Sequence, residues 1–252
     1  MTLAVTLITG ASAGLGAEFA RQCSARGERL VRVARRRDKL EALAKELGNA
    51  RAVTLDLGLP GAAAALMADL TTHKEQVGIL INNAGFGLWG KFAALDGPRQ
   101  RGMIDLNCGT LVELAHAVLP GMIDRGAGAI LNLASTAAFQ PGPGMAVYFA
   151  TKALVLSFSE ALHEEAASKG VRVTALCPGP TRTEFGDVAG FKANGAFDKM
   201  SARSEDVVAM GLKALDKGRA VAIPGLTNKA GAQAHRIVPR WLLRKVTAAI
   251  KY

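Results

Sequence analysis

The sequence predicts an α/β domain built on a doubly wound, seven-stranded parallel sheet with helices on both faces, in three α/β/α layers. Three observations carry this. Short apolar runs alternate with stretches of helical periodicity over short connections, which is the pattern of βαβ units. The first run, Leu3–Ile8, feeds a glycine-rich turn that opens a helix. No linker, internal repeat or low-complexity tract divides the 252 residues, so residues 1–252 are read as one domain.

Leu3–Ile8 has the apolar character of a strand buried on both faces. Thr9-Gly10-Ala11-Ser12-Ala13-Gly14-Leu15-Gly16 follows, then a helix over Ala17–Arg26. Arg29–Ala34 is the second strand. Asp38–Leu47 is a helix ended near Gly48, with Asp38 placed to cap it. Arg51–Leu55 is the third strand and Ala62–His73 a helix. Val77–Ile81 is the fourth strand and runs into Asn82-Asn83-Ala84-Gly85. Pro98–Arg125 is one long helical pattern with Asn107 inside it. Ala129–Leu133 is the fifth strand and ends at Ala134-Ser135. A loop with Pro141-Gly142-Pro143-Gly144 then leads to a helix from Met145 to about Ser168, stopped at Lys169-Gly170. Val171–Leu176 is the sixth strand, followed by Cys177-Pro178-Gly179-Pro180-Thr181-Arg182-Thr183. Ser204–Lys217 is a helix with Ser204 as its cap, and Ala220–Ile223 is the last strand.

Half of the residues are hydrophobic, enough for a sizeable core. Cys23, Cys108 and Cys177 show no metal-ligand or CxxC spacing and read as reduced thiols of a cytoplasmic protein. The first apolar run is too short for a signal segment, and no run reaches the length of a membrane span. The formal charge of +10 is concentrated at the end of the chain. After Asp216 there is no acidic residue, while Lys217, Arg219, Lys229, Arg236, Arg240, Arg244, Lys245 and Lys251 follow. Within the tail, residues 228–252, Pro239 opens a helical pattern. Val238, Leu242, Val246, Ala249 and Ile250 repeat along it, with Arg240, Arg244 and Lys251 on a basic side and Trp241 at the margin. A helix folded back on the body or on a second subunit is the favoured reading. Weak contact with an anionic membrane surface is the second, and nucleic acid is not expected as a partner.

Two features point to chemistry. The strand, glycine turn and helix start at Gly10–Gly16 make an anion site, because helix N-terminal N–H groups and absent side chains let a pyrophosphate approach. Tyr148 and Lys152 lie one helical turn apart, where an ammonium lowers the pKa of a phenol and readies it for proton transfer to a carbonyl oxygen. The turn reads GxxxGxG, not GxGxxG. Together with Tyr148-x-x-x-Lys152 and Asn82-Asn83-Ala84-Gly85, this resembles the short-chain dehydrogenase/reductase family in its ordinary single-domain form, over roughly Leu3–Ile223.

The resemblance implies a Rossmann-like fold and a catalytic set of Asn107, Ser135, Tyr148 and Lys152. Tyr148 would exchange the proton, Lys152 would lower its pKa and bind the nicotinamide ribose, and Ser135 would polarise the carbonyl. Asn107 would kink its helix and hold a relay water. The implied cofactor contacts are Gly10, Ser12, Ala13, Gly14, Leu15 and Gly16 in the turn, and Asp56 and Leu57 beside the adenine. Asn83, Ala84 and Gly85 would follow, with Tyr148, Lys152, Pro178, Gly179, Thr181 and Thr183. NAD-preferring members carry an Asp where this chain has Ala34, and here Arg35 and Arg36 follow, suited to a 2′-phosphate. NADP(H) is therefore the preferred cofactor, with NAD(H) second. Ala13 departs from the pattern, since many NADP-preferring relatives have a basic residue there.

The function so implied is reduction of a hydrophobic ketone, aldehyde or 3-oxoacyl compound, or the reverse oxidation. An NAD-dependent alcohol dehydrogenase and a catalytically silent NADP(H)-sensing protein are the alternatives. Residues 184–200, with Phe185, Phe191, Phe197 and Met200, are either a substrate lid or a short helix packed into the core. The resemblance also implies a homodimer or homotetramer.

Overall fold

The computed structural model describes residues 2–48, 50–190, 201–234 and 238–249. Seven strands form one sheet: β1 (Leu3–Thr9), β2 (Leu30–Ala34), β3 (Ala50–Thr54), β4 (Glu75–Asn82), β5 (Gly128–Leu133), β6 (Val171–Leu176) and β7 (Val221–Ala222). Their order is β3-β2-β1-β4-β5-β6-β7, and every pairing is parallel. The order reverses direction between β1 and β4, so a crevice opens at the carboxyl ends of those strands.

One face of the sheet is covered by α1 (Gly14–Ala25), α2 (Arg37–Leu47) and α8 (Ser204–Asp216). Their core joins Ile8, Phe19, Leu40, Leu176 and Leu212, all buried. The other face carries α3 (Ala62–Thr72), α5 (Leu111–Asp124) and α6 (Ala146–Ala167), with Leu7, Leu66, Leu80, Leu114 and Val173 between. Alternate residues of β1, Leu7 and Ile8, thus serve opposite cores, as the two-residue period of a strand requires.

The helical stretch expected over Pro98–Arg125 begins as α4 (Gly97–Ile104), passes through a π-helical turn at Asp105–Thr110, and continues as α5. Asn107 sits in that turn and is 1% exposed. By length and composition Gly97–Asp124 could cross a membrane, contrary to the sequence expectation. Its apolar side faces the domain instead: Leu111, Leu114, Ala115, Val118 and Met122 are all buried.

Three local expectations change. The residue capping α2 is Arg36, and Asp38 lies in the first turn, where a carboxylate still opposes the helix dipole favourably. The cap of α8 is Arg203, while the Ser204 hydroxyl donates to the Arg182 carbonyl at 2.9 Å. The tail forms two helices, α9 (Leu226–Ala234) and α10 (Arg240–Ala249). In α10 the buried residues are Leu243 and Thr247, whereas Leu242 and Val246 are exposed with Trp241. Leu242 and Val246 of the apolar repeat read from the sequence therefore face outward. Ile250 and Lys251 lie outside the described residues.

Candidate active site

The strand ends are tied together before any ligand is considered. The Thr9 hydroxyl accepts from the main-chain N–H of Asn83 and of Ala84, both at 2.9 Å. The Asn83 amide donates to the carbonyls of Thr9 at 2.8 Å and Gly10 at 3.2 Å. Asn82 donates to Asn132 Oδ1 at 3.0 Å, and Asn132 donates to the Ser159 hydroxyl at 2.9 Å. This buried polar chain links β4, β5 and α6. Asn132 and Ser159 were not singled out from the sequence, because a polar residue inside a strand or helix has no meaning until its neighbours are known.

The β1–α1 turn follows from its glycines. Gly10 has φ +65° and Gly14 φ +54°, a region where only glycine is unstrained. Gly16 allows the turn to close on the helix, since a Cβ there would lie 2.2 Å from the Gly10 carbonyl oxygen. No side chain caps α1 and its first turn holds no acidic residue, so its N–H groups and positive dipole end remain for an anion.

A cavity of about 810 Å³ runs along the carboxyl ends of the strands from this turn. It is lined by Gly10, Ser12, Ala13, Gly14, Leu15, Arg35, Arg36, Asp56, Leu57, Asn83, Ala84 and Gly85 at one end. Ser135, Tyr148, Lys152, Pro178, Gly179, Thr181 and Thr183 line it further on. Gly16 and Asn107 are not among its lining residues. Gly16 packs on the turn itself. Asn107 stands behind Gly85 and Phe86: its Oδ1 accepts from the Phe86 N–H at 3.0 Å, and its Nδ2 donates to the Phe86 carbonyl at 2.9 Å and to the Thr151 hydroxyl at 3.2 Å. Thr183 faces the turn, with its side chain 3.2 Å from where a Gly14 Cβ would be. The Thr181 hydroxyl donates to the Gly179 carbonyl at 3.0 Å.

Ser135 ends β5 and caps the following single helical turn, accepting from the Ala137 N–H at 3.1 Å. The loop over residues 140–145 brings α6 back so that Tyr148 lines the same cavity as Ser135, whose hydroxyl donates to the Pro178 carbonyl at 3.4 Å. Lys152 is 5% exposed, donates to the Leu133 carbonyl at 2.6 Å, and lies 5.7 Å from the centre of the Tyr148 ring.

The electrostatics differ from the sequence expectation. Burial pushes the Tyr148 phenol up to about 12, with the Ser135 hydrogen bond pulling the other way. Burial pushes the Lys152 amine down to about 8. Lys152 directs its ammonium to the Leu133 carbonyl while it lies over the Tyr148 ring. Loss of water is the largest cause for both groups. The phenol keeps its proton at neutral pH.

Beyond Tyr148 the wall is apolar. Phe185, in α7 (Phe185–Ala189), packs on the Tyr148 ring at 5.2 Å between centres, and Phe149 meets it edge-on at 6.1 Å. Met145 and Phe185 close over Gly87, Trp89 lies against Gly144, and the Trp89 main-chain N–H donates to the Ala189 carbonyl at 2.9 Å. Phe185 therefore belongs to the site wall and not to the core; Phe191, Phe197 and Met200 lie outside the described residues.

A family model described as short chain dehydrogenase matches residues 4–192. The chain belongs to the short-chain dehydrogenase family. The NADP-dependent 3-hydroxy acid dehydrogenase of Salmonella typhi is 38% identical over 187 residues, 73% of this chain and 75% of the relative. The solved short-chain dehydrogenase from Sphingobium yanoikuyae in complex with NADPH is 35% identical. It covers 99% of this chain and 97% of its own, with a TM-score of 0.83. The bulky-bulky ketone specific alcohol dehydrogenase from Comamonas testosteroni is 29% identical, covers 100% of this chain and 96% of its own, and has a TM-score of 0.79. In this chain Ser135, Tyr148 and Lys152 stand together on the cavity wall, and Asn107 lies one layer behind.

Proposed function

We propose that this short-chain dehydrogenase is an NADP(H)-dependent reductase of hydrophobic carbonyl compounds that also oxidises the matching alcohols. The observation that carries the substrate class is the wall of Phe86, Trp89, Met145, Phe149, Phe185 and Val188. The basic residues among those that line the cavity are Arg35, Arg36, Lys152 and Arg182, and none of them belongs to that apolar wall. The apolar wall favours this reading over the 3-hydroxy acid activity in its relative's name. The bulky ketones in the name of its structural neighbour fit the wall better.

The uncapped α1 N-terminus and the glycine cradle fit a dinucleotide pyrophosphate. Ala34 puts no carboxylate at the end of β2, and Arg35 and Arg36 supply positive charge for a 2′-phosphate. The NADP(H)-named relatives agree with that charge pattern. When bound, the nicotinamide supplies the hydride.

The chain's own residues hold and move the proton. Ser135 donates to the substrate carbonyl oxygen, and Tyr148, protonated at neutral pH, passes its proton to the same oxygen as the carbon is reduced. The alcohol direction uses the same atoms in reverse. Lys152 holds positive charge beside the phenolate as it forms and binds the nicotinamide ribose. Asn107 is a positioning residue. It fixes the Phe86 main chain and Thr151, and Thr151 in turn donates to the Tyr148 carbonyl at 2.7 Å. A relay water beside Asn107 and Lys152 completes the proposal.

Three buried thiols fit a reducing cytoplasm. Half-exposed Ile104 and Leu154 on α4 and α6 supply apolar surface for a homo-oligomer. A screen of aromatic and cyclic ketones, 3-oxo acids and sugars with NADPH and NADH tests the whole reading. It predicts turnover of the hydrophobic ketones with NADPH. A clear preference for NADH, or for the acids, would overturn it.

A further inference from the structure

The rim of the cavity at the end of β2 holds a charge cluster that the sequence did not foretell. Arg36 Nη1 donates to Glu184 Oε2 at 2.8 Å, and Lys39 Nζ donates to Glu184 Oε1 at 2.6 Å. The other edge of the Arg36 guanidinium, Nε and Nη2, donates to the Ser12 hydroxyl at 3.3 and 3.2 Å. Arg35 is not part of this cluster. It is 70% exposed and only approaches Asp56, at 3.8 Å. Glu184 therefore lies where β2, the β1–α1 turn and the first turn of α2 converge, with each carboxylate oxygen on its own cation. This is the ground an anionic group at the 2′ position of a bound adenosine ribose would occupy, with Ser12, Arg36 and Lys39 as its donors.

Glu184 comes from the far side of the cavity, 148 residues from Arg36 in the chain. It directly precedes α7, whose first residue, Phe185, packs on Tyr148. One carboxylate thus connects the ribose end of the cavity to the aromatic wall of the substrate end. The pairs are open to water, with Arg36, Lys39 and Glu184 each about 40–44% exposed, so exchange for a stronger anion costs little. A phosphate monoester carries close to twice the charge of a carboxylate and presents three oxygens to the same donors.

We propose that Glu184 is a latch on the 2′-phosphate subsite formed by Ser12, Arg36 and Lys39. It holds the two cations in the free protein and gives way to the 2′-phosphate of NADP(H), which releases α7 and Phe185 as the cofactor enters. Glu184 then sets the margin by which phosphorylated and unphosphorylated cofactors are told apart. This rests on the NADP(H) reading above and adds Lys39 and Glu184 to it.

The test measures binding of 2′,5′-ADP and 5′-AMP by calorimetry to the wild type and to Glu184→Gln, at low and high salt. Wild type should prefer 2′,5′-ADP. The variant should bind 2′,5′-ADP roughly three- to tenfold more tightly, with 5′-AMP within about twofold and the gain shrinking at high salt. If wild type shows no preference for 2′,5′-ADP, the NADP(H) reading fails and the latch with it. If wild type has the preference but the variant does not gain, the latch alone is overturned. The coupling to α7 has its own readout. In a Trp241→Phe background Trp89 is the remaining tryptophan of two, and its main-chain N–H is bonded to α7 at Ala189. There 2′,5′-ADP should shift Trp89 emission, and Glu184→Gln should show that shift before ligand is added. An emission spectrum unmoved in both would refute the release of α7.

Discussion

Gly16→Ala probes the cradle on which the site is built. The added Cβ would lie 2.2 Å from the Gly10 oxygen, 2.8 Å from the Gly10 carbonyl carbon and 2.5 Å from Asn83 Nδ2. Two of these atoms are backbone, so no rotamer relieves the contact and the β1–α1 turn must open. Opening it also pulls Asn83 from the carbonyls of Thr9 and Gly10. Overpacking costs roughly 1–3 kcal/mol, and two strained or lost hydrogen bonds add about 1 kcal/mol each. A loss of about 3–5 kcal/mol corresponds to a fall in Tm of roughly 6–20 °C for a domain of this size. Gly102→Ala is the control, because a Cβ there meets nothing within 4 Å and the residue lies inside α4. That variant should match the wild type or exceed it by up to about 1 kcal/mol. Differential scanning calorimetry of both variants reads the outcome. A Gly16→Ala protein melting within about 2 °C of wild type would refute the close packing of turn and helix.

Other expectations follow from the same geometry. Asn107→Asp keeps an acceptor for the Phe86 N–H but sets a carboxylate against the Phe86 carbonyl and removes the donor to Thr151. It should lose roughly 2–4 kcal/mol in urea melts and lower kcat more than it raises KM. Lys152, down at about 8 in the fold against an ordinary 10.5, binds fewer protons there than in the unfolded chain between those pH values. Its stability penalty is therefore full below pH 8 and relieved as pH rises to 10.5. Lys152→Met should exceed wild type in stability by on the order of 3 kcal/mol at pH 7, with the gap closing over that window. Tyr148 has the opposite sign, since its phenol, up at about 12 against 10, costs stability as pH climbs from 10 to 12, and Tyr148→Phe should remove that fall in alkaline melts. Leu154→Asp should lower the oligomeric state seen by light scattering if α6 lies at the subunit interface; an unchanged mass would move the interface elsewhere.

Much of the fold could be read from the sequence because its signals are local. Each strand is a short apolar run, and Gly10, Gly14 and Gly16 carry their backbone demands wherever they occur. Ser135, Tyr148 and Lys152 were legible for a related reason, since two are one helical turn apart and the third lies one loop away. What was hidden depends on long-range contact. Glu184 meets Arg36 and Lys39 across 148 and 145 residues, and nothing in its local sequence marks it. Asn132 and Ser159 acquire their roles only when β5 and α6 lie side by side. The phenol was misjudged because a helical i, i+4 spacing fixes which residues are neighbours but not how much water they lose. The outward turn of Leu242 and Val246 in α10 was not legible because apolar spacing identifies a stripe without saying what covers it.

The central claim is that Tyr148 delivers the proton while the dinucleotide site stands apart from it. Tyr148→Phe removes one oxygen and keeps the ring that packs on Phe149 and Phe185. Single-turnover reduction of a reactive aromatic ketone by NADPH, with NADPH binding measured on the same sample, separates the two roles. The account predicts NADPH affinity within about threefold of wild type and a reduction rate at least about 100-fold lower. Reduction at near wild-type rate with NADPH bound would contradict it.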